Sequence, residues 1–285
     1  MTGLCDLHTH SHYSDGTFSP GEIIAEAAAQ GLSAVALTDH NTVAGLPEFM
    51  AAARGSGLLA IPGVEISTGY RGKELHILGL FLPMDRLAKI SPFLNEILRR
   101  KEESNRRLVH ALNRAGYAID YDALLEAHPT GNLNRAGIAT ALLEKGYISS
   151  REEAFQGILH PEKGIYQPLE RVCVFDAIEF LVSFGAVSVL AHPFLKLNEQ
   201  ELRIFLPEAK CHGLAAMETV YSTFSPEQIA AASRIAREFG LKESGGSDFH
   251  GTVKPDIQLG TGRGNLAVPA EFVNALMPAS PERSV

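Results

Sequence analysis

Basic residues are the minority charge in this chain, with 25 lysines and arginines against 33 aspartates and glutamates, for a formal net charge of −8. Broad gripping of a duplex nucleic-acid backbone needs a basic surface and is excluded on that ground. A nucleotide, or a strand end whose phosphates meet bound cations, is not. Cysteine is scarce as well: Cys5, Cys173 and Cys211 are scattered and odd in number. No disulfide framework and no CxxC zinc site is visible, so a reducing cytoplasm is the expected compartment. No apolar stretch approaches the ~20 residues of a membrane span. The opening MTGLCDLHTH has no basic segment followed by an apolar one, so no secretory signal is expected. Internal repeats and low-complexity segments are also missing. What remains is a chain of 285 residues with 45% hydrophobic content, long enough for one large α/β domain or a domain carrying an insertion.

Short apolar runs alternate with helical ones through the first third of the chain. LCDLHTH reads as a strand, and SPGEIIAEAAAQGL as a helix with Ser19 at the N-cap and Pro20 at its first position. SAVALTDH, LLAIPGVEIS and ELHILGLFL are strand-like, and the alternation resumes with VFDAIEFLVSFG, AVSVLAHP, GLAAMETV, SPEQIAAASRIAREFG and the run ending SGGSDFH. Repeated β–α units with continuous apolar strands predict a parallel sheet covered on both faces. Between about residues 88 and 168 the pattern changes to helices alone. The expected organisation is therefore an α/β domain over residues 1–99 and 168–285, interrupted by a small helical insertion over 100–167.

Nine side chains suited to metal ligation lie along the alternating part: His8, His10, Asp15, His40, Glu65, His76, His192, Asp248 and His250. Nearly all sit where a strand-like run ends. Side chains in a strand alternate faces, so His8 and His10 point the same way and can close on one ion. A lone histidine is more often structural than a ligand; repetition at one strand end after another is what carries the inference. Imidazole and carboxylate ligands without thiolate suit manganese, iron or zinc, and so many can hold two or three ions. Chemistry at the C-terminal ends of many different strands favours a barrel over an open sheet. His12 falls in a turn, and His110, His128, His160 and His212 follow no strand, so these are left outside the set.

The motifs DLHTHSHYSDGTFSP, TDHNTVAG, GVEIS, AHP and SDFH, in that order, resemble those of the PHP (polymerase and histidinol phosphatase) family. The resemblance implies a distorted (β/α)7 barrel and a tri-metal phosphoesterase centre. One ion would take His8, His10, Glu65 and Asp248. Glu65 would bridge to a second held by His76 and His192, and Asp15, His40 and His250 would take the third. Several PHP enzymes carry histidine where this chain has Asp15, which makes that third site harder and more negative. The insertion, with GNLNRAGIATALLEKGY, resembles the branch acting on nucleoside 3′,5′-bisphosphates and short RNA 5′ ends. In that branch the 3′-phosphate ester is hydrolysed and a 5′-phosphate is the anchor. Arg135 matches the branch's arginine, whereas the usual Pro-His after it is Ala136-Gly137 here.

These metals would activate water as the nucleophile and neutralise charge during in-line displacement. Asp6 shares a strand face with His8 and is expected to orient an imidazole, and Asp39 either orients a ligand or moves a proton. Arg135 and Asn134 open a predicted helix, where free N–H groups and a guanidinium suit a phosphate. On the long helix from about Pro92, Lys101, Ser104 and Asn105 interrupt an apolar stripe, either to face substrate or to hydrogen-bond between helices. Tyr166 and Ser222 are further candidates for substrate contact, with Lys163 and Tyr221 equally well read as loop residues. The expected activity is a manganese-dependent phosphatase for nucleoside 3′,5′-bisphosphates that also acts on short RNA 5′ ends. Its rivals are a histidinol-phosphate phosphatase and a non-catalytic metal-holding module of the same fold.

Overall fold

Apolar runs bounded by glycine, serine and aspartate become the strands, and helices with built N-caps follow them. The computed structural model describes residues 2–127, 133 and 135–278. Strand β1 (Leu4–Asp6) leads to helix α1 (Pro20–Ala29), β2 (Ala34–Leu37), α2 (Leu46–Ala52), β3 (Leu59–Tyr70) and β4 (Lys73–Leu80). Four helices come next: α3 (Leu87–Arg114), α4 (Tyr121–Ala127), α5 (Arg135–Glu144) and α6 (Arg151–Gln156). The alternation returns with α7 (Val174–Ser183), β5 (Val187–Leu190), α8 (Glu199–Cys211), β6 (Ala216–Tyr221), α9 (Pro226–Glu238) and β7 (Lys242–Gly246). A two-residue β8 (Val268–Pro269) and α10 (Glu271–Leu276) complete the described chain. Capping boxes at Ser19–Glu22, Asn198–Glu201 and Ser225–Gln228 start α1, α8 and α9, each worth about 1 kcal/mol.

The chain forms two compact units: Met1–Leu94 with Arg171–Val285, and Asn95–Glu170. The first holds all eight strands, ordered β7-β6-β5-β4-β3-β2-β1-β8. β1, β2 and β3 are parallel, as are β5, β6 and β7, but β4 runs antiparallel to both its neighbours and β8 antiparallel to β1. The fully parallel sheet expected from β–α alternation is thus corrected at two places, β4 and the short β8. β3 and β4 are joined by the tight turn at Arg71 and Gly72, both with positive φ, too short for a crossover, so they form a hairpin. The sheet bends round until β1 meets β7: Leu7 N–H donates to the Gly245 carbonyl, Asp248 N–H to His8, and His10 N–H to Phe249. A nearly closed, distorted barrel results. Gly246 permits the closure, since a Cβ there would lie 2.4 Å from the Cβ of His8.

Alternate residues of successive strands, among them Cys5, Leu7, Ala36, Leu78 and Leu80, pack with Val273 and Leu276 of α10 in one buried core. Asp6 and His8 take the other face of β1 by strand alternation. The second unit is helical, its core built from Leu108, Leu112, Ile138, Leu142, Ala154 and Leu159 among others.

Candidate metal centre

Glu65 lies midway along β3 and is fully buried. Backbone bonds pin it to the β2 end: Glu65 N–H donates to Asp39, and Asn41 N–H to the Glu65 carbonyl. In the antiparallel register Glu65 faces Leu78 and Ser67 faces His76, so His76 is its diagonal neighbour on the same face. His76 therefore enters from within β4; the expectation that such residues follow strand ends fails here because the hairpin runs on past the rim.

The Glu65 carboxylate serves two groups of imidazoles. Its Oε2 lies 3.1 Å from His8 Nε2, 3.1 Å from His10 Nε2 and 3.0 Å from His40 Nδ1. Its Oε1 lies 2.8 Å from His76 Nδ1 and 3.1 Å from His192 Nε2. Asp248 Oδ1 stands 3.2 Å from His10 Nε2 and 3.6 Å from His8 Nε2. Asp15 Oδ1 is 3.2 Å from His250 Nε2, and Oδ2 is 3.9 Å from His40 Nε2. Potential ligand atoms of His8, His10, Glu65 and Asp248 lie within 4.8 Å of one another, as do those of His10, Asp15, His40 and His250, and those of His40, Glu65 and His76. His192 joins through its contact with Glu65. All nine of the singled-out residues are thus brought together, with His10 and His40 each shared between groups.

These atoms do not satisfy one another. His8 Nε2 and His10 Nε2 face each other at 3.1 Å. His10 Nδ1, Asp15 Oδ1, His40 Nδ1 and Glu65 Oε2 are buried without a hydrogen-bond partner, four of only six such side-chain atoms among the described residues. Buried polar atoms left unmatched are costly, and cations among them would remove the cost. The donor set fits two or three divalent ions. In the protein alone, burial opposes the ionised form of Glu65, Asp248 and Asp15, but the surrounding histidines override it and hold all three well below the usual carboxylate range. Burial likewise opposes protonation of His10 and His76, yet Asp248 and Glu65 lift His10 to about 9, while Glu65 and Glu74 lift His76 to about 10. At His40 burial wins, lowering it to about 3. His192 and Asp248 adopt positive φ, 29° and 57°, a strained backbone of the kind found where a fold fixes a functional side chain.

Outer partners differ from those expected. Asp6 does not orient an imidazole: its oxygens accept from Ser247 N–H and Oγ, Gly260 N–H and His8 N–H. It ties β1 to the chain after β7, because those N–H groups crowd its side of the strand. The carboxylate behind His8 is instead Glu218, buried in β6, whose Oε1 is 2.9 Å from His8 Nδ1 and whose Oε2 accepts from His192 N–H at 2.6 Å. An acid inside the apolar run AMETV was its only sequence signal. Asp39 accepts from Ser11 N–H, Ser11 Oγ and Ser14 Oγ, shaping the loop that carries Asp15. Tyr221, left open between cleft and loop, is buried and donates to Asp248 Oδ2 at 2.7 Å, where Lys254 Nζ donates too. Ser222 is buried, and its hydroxyl donates to the Ser247 carbonyl.

In the helical unit, Asn105 is likewise explained by packing, donating through Nδ2 to the Leu133 carbonyl. Arg135 begins α5 with its guanidinium 4.6 Å from the Tyr166 ring centroid and 5.9 Å from that of Phe155. Tyr166 is a buried core residue that supports this arginine, and its hydroxyl accepts from Leu169 N–H. Lys101 lines a cavity of about 390 Å³ with Tyr121 and Leu133, and Ser104 lines another. Asn134 lies outside the described residues. Lys163 is exposed in a short 3-10 turn, and His12 is exposed and belongs to none of the ligand groups.

Residues 6–154 match the model of the PHP domain, and the chain belongs to that family. It is 34% identical to a 5′-3′ exoribonuclease of Haemophilus influenzae, over 88% of this chain and 91% of that one. It is 30% identical to a 3′,5′-nucleoside bisphosphate phosphatase of Chromobacterium violaceum, over 86% of each chain. Among solved structures it resembles an amidohydrolase from Chromobacterium violaceum with bound sulfate and no metal, with a TM-score of 0.79 and 27% identity, covering 97% of this chain and 99% of that one. Family, barrel and ligand cluster together define a metal-dependent phosphoesterase. No helix among the described residues is long and apolar enough to cross a membrane.

Proposed function

We propose that the protein removes the 3′-phosphate from nucleoside 3′,5′-bisphosphates, and that the same centre releases 5′-mononucleotides from short RNA 5′ ends. The observation that supports this most is a buried carboxylate, Glu65, set between two groups of imidazoles with four orphaned ligand atoms around it. The relatives bearing these two activities match over nearly their whole length. The ligand sets would be His8, His10, Glu65 and Asp248; Glu65, His76 and His192; and Asp15, His40 and His250, with manganese the favoured ion and iron or zinc as alternatives. Such ions, when bound, lower the pKa of water towards neutrality and offset phosphoryl charge.

The chain's own groups supply order. Glu218 accepts the His8 Nδ1 proton, which leaves Nε2 as the ligating nitrogen. Tyr221 and Lys254 hold one oxygen of Asp248, so that the other faces His8 and His10. Arg135, with Asn134, would take the non-reacting 5′-phosphate. Its guanidinium is stacked on Tyr166, which orders the group before an anion arrives. A bisphosphate carries one phosphate to break and one to hold, and binding energy from the held one positions the other.

A substrate series tests this. With Mn²⁺ added, kcat/KM for adenosine 3′,5′-bisphosphate should exceed that for 3′-AMP, histidinol phosphate and an aryl phosphate. Equal or better turnover of histidinol phosphate would overturn the reading.

A further inference from the structure

Three of the five arginines on α3 are paired with carboxylates. Arg99 pairs with Glu96 and Glu103, Arg100 with Glu96, and Arg106 with Glu102 and Asp122. Arg107 and Arg114 have no carboxylate within 4.0 Å among the described residues. Both open onto the second cavity of the helical unit, about 400 Å³ in volume, together with Arg106 and His110. Ser104 and Ile165 also line it, and no carboxylate does. Arg114 Nη1 donates to His110 Nδ1 at 2.9 Å, so His110 keeps Nε2–H as a donor. In a chain of net charge −8, this groove gathers two arginines without a carboxylate partner among the described residues, Arg107 and Arg114, beside Arg106, whose charge is shared with Glu102 and Asp122. Its chemistry is that of a phosphodiester site: fork-shaped donors for phosphate oxygens, with a hydroxyl and an aliphatic side chain beside them for ribose and base.

We propose that this groove binds the backbone of single-stranded RNA, so that the helical unit contributes an RNA-binding surface of its own. The inference rests on the function proposed above but on different residues. Arg107, His110 and Arg114 are outside the residues assigned above to the ions and the 5′-phosphate.

The test is fluorescence anisotropy with the full chain and a 3′-labelled, 5′-phosphorylated ten-nucleotide RNA, with chelator present to prevent turnover. Arg107→Gln/Arg114→Gln changes exposed side chains, so the fold should persist. This pair should weaken RNA binding on the order of tenfold. It should also lower the slope of log K against log salt by about 1.4, two contacts at about 0.7 each. Arg100→Gln/Arg151→Gln removes the same charge outside the groove and should change affinity little. Turnover of adenosine 3′,5′-bisphosphate, which has no further backbone, should be unchanged in the groove variant. Equal weakening by both pairs would reduce the effect to net charge and overturn the proposal, as would tripolyphosphate competing as well as RNA at equal charge. Wild-type protein that fails to hydrolyse the bisphosphate, yet loses RNA binding with the groove variant, would strike the proposed function and leave the groove standing.

Discussion

Glu218→Gln isolates the support behind the metal centre with the smallest change in shape. The wild-type carboxylate accepts twice, from His8 Nδ1 at 2.9 Å and from His192 N–H at 2.6 Å, and is fully buried. A glutamine can offer its oxygen to only one of these donors and turns an N–H₂ towards the other. If it keeps His192, the His8 ring loses its acceptor and the tautomer that aims Nε2 inward. If it keeps His8, the strained backbone at His192, with φ of 29°, loses its anchor. One charge-assisted hydrogen bond is lost either way, worth about 1.5–3 kcal/mol, which agrees with the roughly 10–100-fold loss of affinity typical when a ligand's outer partner is removed. The assay is Mn²⁺ titration against a competing chelator, with circular dichroism to confirm the fold. Affinity unchanged within error would refute the idea that Glu218 orients a ligand. It would make the contact a packing feature of the barrel.

Glu65→Gln should cost far more activity than Asp15→Asn, because Glu65 faces five imidazoles and Asp15 meets only the group around His10, His40 and His250; near-normal turnover of Glu65→Gln at saturating Mn²⁺ would show the centre to be wrongly assigned. In the metal-free protein His10 and His76 titrate at about 9 and about 10, above their usual 6.5. Ion binding at neutral pH must therefore expel protons, and affinity should rise with pH until about 10; calorimetry in buffers of different ionisation enthalpy reads the release, and pH-independent binding would contradict it. The same shifts stabilise the metal-free fold below pH 6.5, and that contribution is lost as pH rises through 9 to 10. Arg135→Ala should lower kcat/KM for a 3′,5′-bisphosphate by roughly one to two orders of magnitude while sparing an aryl phosphate; equal losses on both would assign Arg135 to structure or to the scissile group.

The nine clustered residues were legible because chemistry that converges on one rim leaves its side chains at successive strand ends, and motifs such as His8–His10 declare a shared face. What stayed hidden has physical causes. Apolar periodicity carries no direction, so the reversal of β4 could not be read, and with it the entry of His76 from inside a strand. Glu218 sits where the pattern signals core, and only its charge marked it. Asp6 shares parity with His8, but strand parity says nothing of the N–H groups of Ser247 and Gly260 that arrive from far along the chain and take its oxygens. The polar break on α3 divided: Asn105 answers a carbonyl of its own unit, while Ser104 faces a groove.

The central claim concerns which ester breaks. Adenosine 3′,5′-bisphosphate incubated with the Mn²⁺-loaded protein and followed by phosphorus NMR should yield 5′-AMP and inorganic phosphate, with the 5′-phosphate resonance persisting. Accumulation of 3′-AMP would reverse the polarity and contradict the proposal that the 5′-phosphate is held while the 3′-phosphate reacts.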